Sequence, residues 1–84
     1  MNVRTIEMPL AVHMALRAII RLAKEGNGGF TGSVAGQHAD AALNYVEQSD
    51  FVTQCRYVVA NLGTMRGDKA KEARKVLKDF IKNA

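Results

Sequence analysis

This sequence has very few residues that could form a covalent or metal cross-link. Its 84 residues include one cysteine, one proline, two histidines and no tryptophan. Because Cys55 cannot close an internal disulfide, we expect a reducing, cytoplasmic location. His38 and Asp40 are two residues apart and would point to different sides of a helix, so no metal-binding spacing is found. We therefore expect neither a metal nor a cofactor.

Long hydrophobic runs are also missing. The first apolar stretch is interrupted by His13, Arg17 and Arg21, so we expect neither a secretion signal nor a membrane span. Hydrophobic residues make up 48% of the chain and charged residues 24%, which is typical of a globular protein and not of a disordered one. A chain of this length supports one domain, residues 1–84, whose small core favours a homo-oligomer.

The positive charge is concentrated at the two ends of the chain. The net charge of +4 divides into +3 for residues 1–24, −3 for residues 25–65 and +4 for residues 66–84. Basic ends of this kind indicate an anionic partner, or contact between basic ends and acidic middle within or between chains.

Helical spacing predicts the first helix with the least ambiguity. Pro9 suits the first turn of a helix, and the pattern continues to residue 24 or 25. Its apolar stripe consists of Val12, Leu16, Ile19, Ile20 and Ala23. Four glycines in residues 26–33 then predict a loop, interpreted as a flexible connector.

Three further helices are predicted after this loop. The second begins at Ser33, or nearer Ala39, and runs to about residue 48. Residues 50–62 fit a third helix, although their β-branched residues leave a strand as the alternative. A fourth helix, capped by Thr64 or Asp68, runs to near the C-terminus. The apolar side of the second helix is expected to contain Val34, Ala41, Ala42, Tyr45 and Val46.

These elements define the expected fold class. We predict a mainly α protein, built as a small bundle of about four helices or as two helical hairpins joined by the glycine-rich loop. Alternating residues at positions 3–8 also allow a short N-terminal strand.

The last helix carries the strongest chemical pattern in the sequence. Ammonium groups in a row on one helix face can neutralise successive phosphates and release counterions. Arg74 flanks such a row, and Arg17 and Arg21 belong to a second row on the first helix. We expect the two rows to form one continuous cationic surface open to solvent. The alternative is a solvated helix surface whose last turns complement the helix dipole. The row on the last helix consists of Lys71, Lys75, Lys78 and Lys82.

Catalytic motifs are not found. Cys55 lies in a predicted apolar stripe, where a buried and inert thiol is expected and not a nucleophile paired with a histidine. The glycine-rich segment has neither the ending of a Walker loop nor the spacing of a dinucleotide fingerprint. Two DNA-binding classes also fit poorly: a ribbon-helix-helix arrangement would turn Glu7 toward the groove, and a helix-turn-helix in residues 33–62 would offer only Arg56 as a cation.

The sequence thus predicts a small non-enzymatic binding protein. Its expected partner is nucleic acid or an acidic protein surface, contacted by basic helical faces. The alternative is a protein-protein adaptor or inhibitor, of the kind that small bacterial or phage reading frames encode, with Tyr45 and Tyr57 as partner-binding anchors.

Overall fold

The apolar stripes of the helices meet in a single bundle. The computed structural model describes residues 8–44 and 47–84. It contains α1 (Leu10–Lys24), α2 (Gly29–Asn44), α3 (Gln48–Ala60) and α4 (Asp68–Lys82). Helices α1 and α3 each pack against both α2 and α4, so the four helices form a ring in chain order. The predicted mainly α bundle is confirmed, whereas residues 3–7 of the possible N-terminal strand lie outside the described residues.

The core is built from one large aromatic residue and several aliphatic residues. Phe51 is completely buried and meets the ring of Phe80 edge to face, with 5.6 Å between ring centroids. Leu16 and Ile19 of α1 and Leu77 of α4 are also completely buried. Each such side chain contributes about 1.5–3 kcal/mol by leaving water. The core thus fixes the directions in which the outer faces of α1 and α4 point.

Residues 48–60 form a helix and not the alternative strand. Phe51, Cys55 and Val58, spaced at i, i+4 and i+7, are the buried residues of α3. Val52 and Val59 lie at the edges of this face and are half-buried. The helical spacing therefore decided the structure over the strand preference of the β-branched residues.

The buried face of α2 differs from the predicted one. Of the expected apolar residues only Ala42 is buried, Val34 and Ala41 are half-buried, and Tyr45 and Val46 lie outside the described residues. A Cβ added at Gly36 would lie 2.5 Å from the Cβ of Ala23, so α2 approaches α1 too closely for larger side chains. The residues buried in α2 are Gly32, Ala35, Gly36, Ala39 and Ala42.

The glycine-rich connection is a short packed turn and not the predicted loop. It occupies residues 25–28, and α2 begins at Gly29, so Ser33 lies within the helix instead of capping it. Asn27 accepts a hydrogen bond from the Arg66 amide at 2.9 Å and donates one to the Arg66 carbonyl at 2.8 Å. These bonds join the α1–α2 turn to the α3–α4 connection, which rules out an independent flexible linker.

The two residues expected to cap the last helix have other roles. Thr64 donates a hydrogen bond to the Gly28 carbonyl at 2.9 Å, and so belongs to the contact between the two connections. Asp68 is the first residue of α4, and Gly67, at φ +102°, occupies the capping position. A carboxylate in the first turn still complements the helix dipole.

Candidate anion-binding surfaces

The predicted lysine row forms an exposed face of α4. Lys71, Lys75, Lys78 and Lys82, here called the α4 lysine face, are all exposed. They lie on the opposite side of the helix from Ala70, Ala73 and Leu77, which are buried. The row spans about 16 Å along the helix axis at 1.5 Å per residue. No hydrogen bond or ion pair joins these four ammonium groups to another described residue.

Arg74 differs from the lysines beside it. Its side chain is half-buried, and its guanidinium donates a hydrogen bond of 2.8 Å to the carbonyl of Leu62. Leu62 is completely buried just after α3. Arg74 thus joins α4 to the connection that precedes it. The sequence pattern does not reveal this contact.

The second predicted row lies on the outer side of α1. Arg17 and Arg21 are exposed and line a shallow groove that is bordered by α2 and α4. Lys24 and Lys69 supply two more cations, so four positive side chains line one depression. Two carboxylates interrupt this charge. The apolar side chains that line the groove belong to Met14, Ala18, Ile20, Leu22 and Leu43. The carboxylates belong to Glu25 and Asp40.

The two rows lie on separate faces of the bundle. Lys69 is the residue of α4 that lines the groove, together with residues of α1 and α2. At 100° per residue, Lys69 lies about 150° around α4 from the centre of the lysine row. Arg74, on the other side, reaches toward the end of α3. The lysine row therefore points away from α1, and the arginines and lysines do not merge into one surface.

Tyr57 lies on a small polar cluster between α2 and α3. Tyr57 is 48% exposed, and the centroid of its ring lies 5.1 Å from that of the His38 ring. The Nδ1 atom of His38 is 2.7 Å from the Oε1 atom of Gln54, which implies that the imidazole nitrogen donates, since the amide oxygen can only accept. Tyr45, the other predicted anchor, lies outside the described residues.

The environment of Cys55 agrees with the expectation of an inert thiol. Its side chain is completely buried in α3, and loss of solvation raises its pKa to about 11. A thiol of this kind is almost fully protonated at neutral pH, and the thiolate is the reactive form. Within residues 8–44 and 47–84, no three histidine, cysteine or acidic side chains lie close enough together to hold a metal ion.

Exposed apolar residues were missed by the sequence interpretation. Leu10 is 73% exposed and Met14 is 61% exposed, although both belong to the helix with the most regular apolar stripe. Their spacing from Arg17 and Arg21, at i, i+4, i+7 and i+11, places all four on one face and is the signal that was available. Phe30, at the start of α2, is 85% exposed.

Comparison with known proteins gives no match from which a function could be assigned. No protein-family model, no curated protein and no solved structure matches the chain. Among the described helices, none has the length and apolar character needed to cross a membrane.

Proposed function

We propose that this protein binds nucleic acid without sequence preference through the α4 lysine face. The supporting observation is that four regularly spaced ammonium groups are exposed along residues 71–82 of one helix and have no partner among the described residues. Their axial separations of about 4.5–6 Å allow each to approach a different phosphate of one strand. Binding here depends on charge, because aromatic side chains for base stacking are not part of this face.

The composition of the face favours a phosphate backbone over a protein surface. It contains no apolar residue that a protein partner would bury, in contrast to most protein interfaces, whose cores are apolar. Glu72 and Asp79 lie along one border of the lysine row and limit the width of the positive stripe. A single narrow row of cations matches one phosphate strand, and weak binding is expected.

Salt dependence provides the first test. Four phosphate contacts predict a slope of about −3.6 for log K against log salt on duplex DNA, which is about a 150-fold loss between 50 and 200 mM. Fluorescence anisotropy with two duplexes of unrelated sequence and equal length measures this slope. Equal affinity for both duplexes is expected. A slope near zero, or a strong preference for one sequence, would contradict the proposal.

Neutralising part of the row provides the second test. Lys75→Gln with Lys78→Gln removes two contacts, and the slope should fall to about −1.8 with roughly a 50-fold loss of affinity at 0.1 M salt. Lys69→Gln is the matched control, since Lys69 belongs to the same helix but lies beside α1. An equal loss per lysine in the control would mean that net charge, and not this face, determines binding.

A further inference from the structure

The outer side of α1 carries exposed apolar residues in line with its positive charges. Leu10, Met14, Arg17, Arg21 and Lys24, here called the α1 face, follow each other at i, i+4, i+7, i+11 and i+14. They form one stripe of about 21 Å. The N-terminal third of the stripe is apolar and highly exposed, and the remainder is cationic. Contiguous exposed apolar side chains with a polar rim are a mark of interaction sites, and Leu10 and Met14 are adjacent on one helix face beside cations.

From this arrangement we propose that the α1 face is a docking site for an acidic amphipathic helix of another protein. The carboxylates of the partner pair with Arg17, Arg21 and Lys24, and its apolar side chains cover Leu10 and Met14. Because α2 and α4 border the groove on both sides of α1, a helix can lie along α1 and contact all three elements. This surface is separate from the α4 lysine face and does not depend on nucleic-acid binding.

Charge complementarity selects a protein partner over a second nucleic-acid site. Glu25 and Asp40 line the same groove as the arginines. They repel a phosphate backbone, which is negative throughout, whereas a helix that is acidic elsewhere can place an uncharged or cationic residue beside them. A phosphate backbone also leaves Leu10 and Met14 uncovered. The aromatic rings that would stack on bases are not among the described residues that line the groove.

A second copy of the same chain fits this face poorly when the two α1 helices cover each other along their full length. In a symmetric dimer with antiparallel α1 helices, a two-fold axis near Arg17 would bring the two copies of Arg17 together. It would also place Leu10 opposite Lys24 and Met14 opposite Arg21. Apolar residues would then face cations, and like charges would meet at the centre, which disfavours association.

A designed peptide pair tests the proposal. The first peptide is a helix with leucines at i and i+4 and glutamates at i+7, i+11 and i+14 on one face, with alanine, glutamine and one lysine elsewhere. Its control has the same composition in scrambled order. At 150 mM salt, fluorescence polarisation should show micromolar binding of the ordered peptide and at least tenfold weaker binding of the scrambled one. Equal binding of both peptides would overturn the proposal.

Substitutions in the protein locate the contact. Arg17→Gln with Arg21→Gln should weaken peptide binding roughly tenfold, because two exposed charge pairs are lost. Met14→Gln should weaken it severalfold, and Lys75→Gln with Lys78→Gln should leave it unchanged. Circular dichroism checks that each variant is folded.

Two results would assign another occupant and overturn the proposal. The first is a concentration-dependent dimer in sedimentation that Met14→Glu dissociates. The second is a duplex affinity that depends more on Arg17 and Arg21 than on Lys75 and Lys78.

Discussion

The outer faces of α1 and α4 carry similar positive charge but differ in what lies between the charges. On α4 the four lysines continue without an apolar residue in the row, and no described residue pairs with them. On α1 the cations share a groove with two carboxylates and follow two exposed apolar side chains. The difference teaches that a basic helix face does not define its partner, because apolar and acidic neighbours decide which anions it accepts.

Charge reversal on each face gives the largest expected effect. Lys75→Glu with Lys78→Glu should weaken duplex binding more than 100-fold at 0.1 M salt, because two contacts become repulsions. Arg17→Glu with Arg21→Glu should change it less than threefold, while abolishing binding of the acidic peptide. Both ligands are measured by anisotropy on both variants. If either pair of substitutions impaired both ligands equally, the two faces would have to be treated as one surface.

Alkaline pH tests how much the buried Cys55 thiol contributes to the stability of the core that carries both faces. The Cys55 thiol is protonated in the folded and unfolded states below about pH 8.5, so its contribution to stability is fully present there. Above this pH the unfolded chain loses the proton first, since burial raises the folded pKa to about 11. The free energy of unfolding should therefore fall by roughly 2–3 kcal/mol as the pH rises from 9 through 11.

Urea unfolding of the protein and of Cys55→Ala between pH 7 and 11 measures this contribution. All other ionisable groups are the same in both proteins, so the difference between the two curves isolates the thiol. Parallel curves would show that the folded thiol titrates normally.

The packing of α1 against α2 can be changed without substituting a residue of either outer face. Gly36→Ala places a Cβ against Ala23 at 2.5 Å, and we expect a loss of about 1–3 kcal/mol from overpacking. Adding Ala23→Gly should recover part of this loss, and peptide binding should suffer more than duplex binding because α2 borders the groove. Gly63→Ala, where a Cβ meets nothing within 4 Å, is the control and should not destabilise.

The smallest effect is expected at the hydrogen bonds between the two connections. Asn27→Ala removes both bonds to the Arg66 backbone and should lower the free energy of unfolding by about 1 kcal/mol. Asn44→Ala is a matched control, because its amide bonds only the Asp40 carbonyl in the same helix. Thermal unfolding of the two variants provides the measurement, and equal midpoints would show that the contact between the connections contributes nothing.

The buried face of a helix was predictable where its two sides differ strongly in hydrophobicity, as in α4. It was not predictable in α2, whose sides differ little. The apolar stripe of α4 and its lysine row follow directly from spacing, because charged and apolar residues alternate with the helical period. The prediction of the buried face of α2 was wrong because that face consists of small residues, among them Gly32 and Gly36. Glycine and alanine give little contrast in hydrophobicity between the two sides of a helix. Their burial depends on the close approach of α1, which is a property of two helices and not of one segment.

The candidate surfaces were also predictable only in part. Both basic rows were visible as repeating positions, but their separation was not, because it depends on which side of α4 faces α1. The exposed apolar residues of the α1 face were not predicted for a related reason. Leu10 and Met14 are close in sequence to the buried residues of α1, but they lie on the solvent side of the helix. The homo-oligomer, the cytoplasmic location and the non-enzymatic character stay predictions.

By itself the sequence determined four helices, a buried thiol and two rows of cations, because local spacing and side-chain chemistry act within single segments. Tertiary structure alone decided that the glycine-rich turn is fastened to the α3–α4 connection, that small residues form the face of α2, and that the two basic rows point in different directions. These features arise from contacts between residues far apart in the chain, 39 positions for Asn27 and Arg66 and more for α1 and α4. Such contacts exist only after the helices have packed.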